Sequence, residues 1–133
     1  MASRIDYISQ TRNQVVVKYT SDGGGSDLAI FLGPTAFGAA TGPDAVTGLT
    51  YTSAALSKVI YGILDLTSST TSKGCAIIFG GSANYTAFAV PTGAGQFDFE
   101  RFTINNLAEG STGMVTFTNP GVTSTVIATF VTH

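Results

Sequence analysis

The chain of 133 residues contains few of the residues that build reactive or metal-binding sites: one cysteine, one histidine and no tryptophan. A single cysteine, Cys75, cannot form a disulfide within the chain, and one cysteine with one histidine cannot supply the ligands of a structural zinc site. Charged residues are only 11% of the sequence and the net charge is −2, so no nucleic-acid partner is expected. No apolar run reaches about 18 residues, so no membrane-spanning helix is expected.

Two pairs of side chains are the candidates for catalysis. Cys75 and His133 are the sole cysteine–histidine combination, but His133 is the final residue, and a catalytic pair needs a base that is held in place. Asp98 and Glu100 are two residues apart and point to the same side of a strand, as exposed acids on a solvated face also do. The prediction is a buried, inert thiol, a solvated acidic face and a protein that is not an enzyme.

Three aspartates, Asp22, Asp27 and Asp44, lie in glycine-rich loops, where carboxylates are suitable ligands for calcium. Their spacing does not match an EF-hand. The glycine run at 23–25 also lacks the Lys-Ser/Thr pair and the helix that follow a phosphate-binding loop. The prediction is that the protein binds no cofactor, and calcium binding by the loop acids stays open.

Short apolar segments rich in β-branched and aromatic residues indicate strands throughout the chain. Residues 13–20 place Val15, Val17 and Tyr19 on one face, and residues 28–32 form a second, shorter strand. From residue 58 onward, a strand recurs about every ten residues, a spacing typical of sandwiches and jelly rolls. The prediction is an all-β, antiparallel β-sandwich of about eight strands without substantial helix. The later strands are 58–67, 75–79, 85–90, 96–102 and a hairpin of 114–118 with 122–131.

Several of these strands carry more specific predictions. Residues 58–67 are apolar on both faces, which favours a central strand covered on both sides. Residues 91–95, PTGAG, are predicted to be a turn. The aromatic residues that follow residue 84 are predicted to lie in the core, because no basic groove accompanies them. They are Tyr85, Phe88, Phe97, Phe99 and Phe102.

The two ends of the domain are less regular. Residues 1–12 mix apolar and charged side chains and are predicted to be an N-terminal arm outside a single β-sandwich domain, residues 13–133. They lack the apolar segment of a signal peptide, so no such signal is expected. Residues 33–57 contain several glycines and two prolines, which predict a long excursion carrying Phe37. Phe37 fills the domain's own core or reaches a partner. Ser53 could cap a short helix at 54–56, although strand is favoured.

Residues 10–20, QTRNQVVVKYT, include the first predicted strand and are followed by the loop SDGGGSD. This segment resembles the opening strand of small structural proteins of tailed-phage virions, especially marine ones, and the likeness covers about two-thirds of the chain. The middle of the chain is similar in KVIYGI at 58–63, CAIIFGGSANYTAFAV at 75–90 and GAGQFDF at 93–99. GSTGMVTFTNPGVTSTVIATFV at 110–131 resembles their terminal hairpin. The chain differs from the family in having Tyr61 where a tryptophan is frequent.

This resemblance implies a capsid decoration (cement) protein on the outer shell of a virion, made in the host cytoplasm and without catalytic residues. The implied partners are the major capsid protein and sibling copies in a trimer, with no nucleic acid and no membrane. Arg4, Tyr7 and Arg12 in the arm and Phe37 in the excursion are the predicted contact residues. A carbohydrate-binding or host-adhesion module and a tail or neck component are the alternatives. Exposed aromatics in a groove favour adhesion, and a flat Thr/Ser/Ala surface favours shell binding.

Overall fold

A computed structural model describes residues 3–24, 26–32, 54–64, 74–99, 103–105 and 113–132. Within these ranges the chain forms strands and no helix. The strands are β1 (Ser3–Gln10), β2 (Gln14–Asp22), β3 (Leu28–Phe31), β4 (Ala54–Leu64), β5 (Cys75–Phe79), β6 (Tyr85–Val90), β7 (Gly93–Asp98), β8 (Ile104–Asn105), β9 (Met114–Phe117) and β10 (Thr123–Thr132).

The strands form two antiparallel sheets. The larger sheet has the order β1-β2-β10-β4-β7, and β8 pairs with β4 beyond the end of β7. The smaller sheet has the order β3-β9-β5-β6. The predicted all-β antiparallel fold is confirmed. The two strands that the sequence did not predict are β1 and β8.

One hydrophobic core lies between the two sheets. Alternate residues of β2 point into it, so Val15, Val17 and Tyr19 are fully buried, as their alternation predicted. The ring of Tyr19 in the larger sheet stacks on Phe117 in the smaller sheet at 5.8 Å between centroids. Each sheet therefore buries its apolar face against the other.

The prediction of an arm at residues 1–12 is wrong for residues 3–10. These residues form β1, which pairs with β2 along its whole length and is interrupted by a bulge between Tyr7 and Ser9. Ile5 points into the core and is 6% exposed, whereas Ile8 in the bulge is 55% exposed. Because a bulge inserts one extra residue, it breaks the two-residue alternation by which a strand is recognised in a sequence.

Two strands of the larger sheet differ from their predictions. β4 begins at Ala54, so the strand alternative holds and the short helix is excluded. β4 is central, but it is buried on one face only, because Ile60 and Leu64 are 39% and 55% exposed on the other. β7 begins at Gly93 inside the predicted turn, and all six of its residues are exposed.

The predicted hairpin of 114–118 with 122–131 is also wrong. β9 pairs with β3 and β5 in the smaller sheet, whereas β10 pairs with β2 and β4 in the larger one. The connection from Asn119 to Gly121 therefore crosses between the sheets. Phe117 and Phe130 consequently enter the core from opposite sides. Two alternating strands joined by a turn look the same in sequence whether they share a sheet or face each other.

Candidate functional site

The predicted contact residues do not form one site. Arg4 lies on the outer face of the larger sheet, opposite Thr20, and its Nε donates to Asp6 Oδ1 at 2.9 Å. Arg12 lies in the turn after β1 and is exposed. The two arginines are at opposite ends of β1, roughly 25 Å apart along an extended strand.

The other two predicted contact residues are the aromatic residues Tyr7 and Phe37. Tyr7 is opposite Val17 and packs against the core, so its ring faces inward rather than toward a partner. Phe37 lies outside the described residues. The exposed charges of the predicted set therefore belong to the surface of the larger sheet and to the β1–β2 turn.

The outer face of the larger sheet is rich in threonine, and we call it the threonine face. Its positions alternate with the buried residues of β10 and continue onto the neighbouring strands. Thr125 lies between Thr20 and Gly62, and Ile127 lies between Lys18 and Ile60. Sequence reasoning missed this face, although the alternation of threonine with apolar residues at 123–130 is its signal. Its central members are Thr20, Thr123, Thr125, Ile127, Thr129 and Ile60.

The charges of the threonine face occur in opposite-sign pairs across neighbouring strands. Asp6 is directly opposite Lys18, and Lys58 is directly opposite Asp98. Cross-strand neighbours of opposite sign attract, whereas like charges at these positions destabilise a sheet. The two lysines lie beside the central strand β10, and the two acids lie on the edge strands β1 and β7. Hydroxyl and apolar groups fill the rest of the face, so the surface as a whole is close to neutral.

A group of aromatic rings, which we call the aromatic edge, joins the margins of the two sheets. Phe88 of the smaller sheet contacts Phe97 of the larger sheet at 4.8 Å between ring centroids, and Phe99 at 5.4 Å. Phe97 also stacks on Tyr61 at 5.7 Å. The prediction that these rings lie in the core is wrong for Phe97, which is 37% exposed. Tyr85, Phe88 and Phe99 are partly buried, and Phe102 lies outside the described residues.

The tyrosine of the aromatic edge requires glycine on the neighbouring strand. Tyr61 is opposite Gly95, and a Cβ added at Gly95 would lie 2.8 Å from Tyr61 Oη. That distance is shorter than a real contact allows, so any other residue at position 95 would displace the tyrosine ring.

Hydrogen bonds at one end of the sandwich tie the β2–β3 loop to the β9–β10 connection. Ser21 Oγ donates to Asn119 Oδ1 at 2.9 Å, and Asn119 N donates to Asp27 Oδ1 at 2.6 Å. Gly24 N donates to Asp22 Oδ1 at 3.0 Å, and this bond lowers the pKa of that carboxyl. The described loop acids thus accept bonds from the backbone. Among the described residues, no three His, Cys, Asp or Glu side chains could hold a metal ion together. Asp44 lies outside that set.

The thiol of Cys75 is buried, as predicted, and burial raises its pKa to about 12. A depression of about 350 Å³ lies beside it, with a lining that is mainly apolar and includes Gly74, Val90 and Thr118. His133 and Glu100, the second members of the two catalytic pairs considered above, lie outside the described residues. A thiol with this pKa stays protonated at neutral pH and is a weak nucleophile.

Burial of Cys75 predicts a loss of stability at alkaline pH. The folded thiol keeps its proton up to about pH 12, whereas the unfolded thiol loses its proton near pH 9. In that window the unfolded state binds fewer protons, so the free energy of unfolding falls as the pH rises. Between about pH 9 and 11 the wild type should lose up to ~1.4 kcal/mol per pH unit more than Cys75→Ala. Urea unfolding at several pH values in this range measures how the free energy of unfolding changes with pH in both proteins. An equal change in both would contradict the raised pKa of the buried thiol.

No family model matches the sequence, and a search of curated proteins found no match. No helix in the described ranges is long and apolar enough to cross a membrane.

Proposed function

We propose that this chain is a structural protein of a phage virion that binds the outer surface of the capsid shell as a decoration protein. The observation that carries this proposal is the threonine face, a broad sheet surface of hydroxyl and apolar groups whose charges are paired across neighbouring strands. The sequence resemblance to tailed-phage virion proteins supports the same conclusion.

The chemistry of the threonine face suits attachment to a large repetitive surface. Covering hydroxyl and methyl groups costs far less desolvation energy than covering unpaired charges. Each contact contributes little, but many copies on one shell act together. The rigid two-sheet core would hold the face in a fixed shape, so binding would require little ordering of the protein.

The proposed partners are the major capsid protein and neighbouring copies of this chain. Arg4 lies on the threonine face and stays a proposed contact residue. Arg12, in the β1–β2 turn, also stays a proposed contact residue. Tyr7 is not proposed as a contact, because it packs inward. The proposal assigns the protein no catalytic role and no cofactor.

A pair of matched substitutions tests which surface binds the shell. Thr125→Arg places a large charge at the centre of the threonine face, whereas Thr116→Arg places it on β9 of the smaller sheet. We expect Thr125→Arg to weaken co-sedimentation with shells of the same virus by about tenfold or more, since the charge must be desolvated. Thr116→Arg should bind as the wild type does. Equal binding of both variants, or the reverse order, would contradict the assignment.

A carbohydrate-binding or host-adhesion module is the second candidate. The partial exposure of Phe97 and Tyr61 at the aromatic edge favours it, because exposed rings stack on sugars. A protein that ignores shells but binds host-cell polysaccharide would support this candidate. Tail or neck attachment would instead appear as binding to virions and not to isolated shells.

A further inference from the structure

The outer edge of β7 has backbone groups that point away from the sheet. In the described part of the chain, β7 pairs with β4 on one side and with no strand on the other. Phe99 N donates to Ser57 O at 2.7 Å. Since antiparallel strands alternate in the direction of their hydrogen bonds, odd-numbered residues of β7 bond to β4. The N–H and C=O groups of Ala94 and Gln96 therefore face outward.

The two edges of the larger sheet differ in how they resist pairing with another strand. β1 carries a bulge and the charged pair Arg4 and Asp6, features that protect natural sheet edges. β7 carries no charge from Gly93 to Phe97, has a continuous register with β4, and is exposed at every position. Among the described residues no strand covers the β7 edge, so this edge can accept a further strand.

We propose that two copies of this chain pair through β7 as antiparallel strands about a twofold axis perpendicular to the sheet. Gly95 lies on the axis. Ala94 is opposite Gln96 of the second copy, and Phe97 is opposite Gly93 of the second copy. The outward backbone groups of Ala94 and Gln96 then form about four hydrogen bonds between the copies.

The space beside Gly93, and the lack of space beside Gly95, favour this register over one that places Phe97 opposite Gly95. Ile63 is buried and opposite Gly93, so Gly93, Gly95 and Phe97 share the inner face of the sheet. Among the described residues, no atom lies within 4 Å of a Cβ built at Gly93, which leaves room for the exposed part of the Phe97 ring of the second copy. The corresponding space at Gly95 is filled by the Tyr61 hydroxyl. A register that put Phe97 opposite Gly95 would therefore clash.

The charges of the edge are compatible with the same pairing. Asp98 is the charged residue of β7, and in this register it is opposite Thr92 of the second copy. The two Asp98 residues are six positions apart along the paired strands, roughly 20 Å. At that distance their repulsion is largely screened at physiological salt.

The pairing has a consequence for shell binding, although it stands independently of that function. An axis perpendicular to the sheet keeps both threonine faces on the same side of the dimer. A dimer could thus place two such faces on one surface, which raises its avidity. The trimer implied by the sequence resemblance needs a different contact, because a threefold arrangement is heterologous.

Mass measurement without shells tests the pairing separately from the proposed function. The chain has a mass of 13.7 kDa, so sedimentation equilibrium at roughly 100 µM should give about 27 kDa for the wild type. A monomer or a trimer at this concentration would overturn the proposal, whatever the outcome of shell binding.

Two double substitutions test the register. A94E/Q96E places like charges opposite each other twice in the dimer, and we expect the dissociation constant to rise roughly tenfold or more. A94K/Q96E has opposite charges at the same positions and should remain dimeric. Circular dichroism should show both variants folded, since positions 94 and 96 are exposed.

A control at the opposite edge matches the charge change. R4E lowers the net charge by two, as A94E/Q96E does, but on β1. It should leave the dimer intact. Loss of the dimer in R4E, or a dimer in A94E/Q96E as stable as the wild type, would overturn the assignment to β7.

Discussion

Replacing Phe117 by alanine is expected to lower the free energy of unfolding by about 3–5 kcal/mol. Phe117 is fully buried, and its ring stacks on Tyr19 of the opposite sheet. Its removal would leave a cavity between the two sheets that rigid strands cannot close. Urea unfolding followed by circular dichroism measures the change, since the chain has no tryptophan to serve as a fluorescent probe.

Two further substitutions are the controls for this effect. Phe117→Leu keeps most of the volume and should cost less than about 2 kcal/mol. Ile60→Ala shortens a side chain that is 39% exposed on the outer face of the same fold and should change stability by no more than about 1 kcal/mol. A loss in Phe117→Ala no larger than in Ile60→Ala would contradict face-to-face packing of the sheets.

Replacing Ile5 by aspartate is expected to cost about 3–5 kcal/mol or to prevent folding, because the carboxylate would be buried without a partner. Ile5 lies on β1 and points into the core beside β2. Thermal unfolding monitored by circular dichroism measures the effect, and a soluble but unfolded product counts as the expected result.

Ile8→Asp is the matched control in the same strand. Ile8 lies in the bulge and is exposed, so the same chemical change should alter stability by less than about 0.5 kcal/mol. If Ile5→Asp and Ile8→Asp proved equally stable, residues 3–10 would behave as the terminal arm that the sequence suggested and not as a strand of the sheet.

The strands that could be predicted from the sequence are those with uninterrupted local alternation. Val15, Val17 and Tyr19 alternate with polar neighbours, so β2 and its buried face were predicted correctly. β1 was missed because its bulge at Ile8 shifts the alternation. The start of β4 was predicted four residues too late, because Ala54 and Ala55 have no strong preference for strands.

Pairing between strands is the part of the fold that local patterns do not contain. β9 and β10 were predicted to form a hairpin, because two apolar segments flank Asn119 and Gly121. The hydrogen bonds of Asn119 to Ser21 and Asp27, distant in sequence, accompany the crossing from one sheet to the other. The prediction that β4 is covered on both faces failed for another reason: both of its faces are apolar, although Ile60 and Leu64 lie on the exposed one.

The candidate surfaces likewise combine features that a local sequence pattern predicts with features that depend on strand pairing. The exposure of Arg4 and Arg12 was expected, because both side chains are charged. Their separation along β1 was not expected, because β1 itself was not predicted. Inward packing of Tyr7 depends on its position opposite Val17. The threonine face and the β7 edge each depend on which strands are neighbours. They were found only when the sheet order was known.

The most direct test of shell binding through the threonine face is a cryo-electron microscopy reconstruction of capsid shells incubated with this protein. We expect two-sheet density bound to the exterior, with the threonine face against the shell and the smaller sheet toward solvent. Undecorated shells, or bound protein whose smaller sheet contacts the shell, would contradict it.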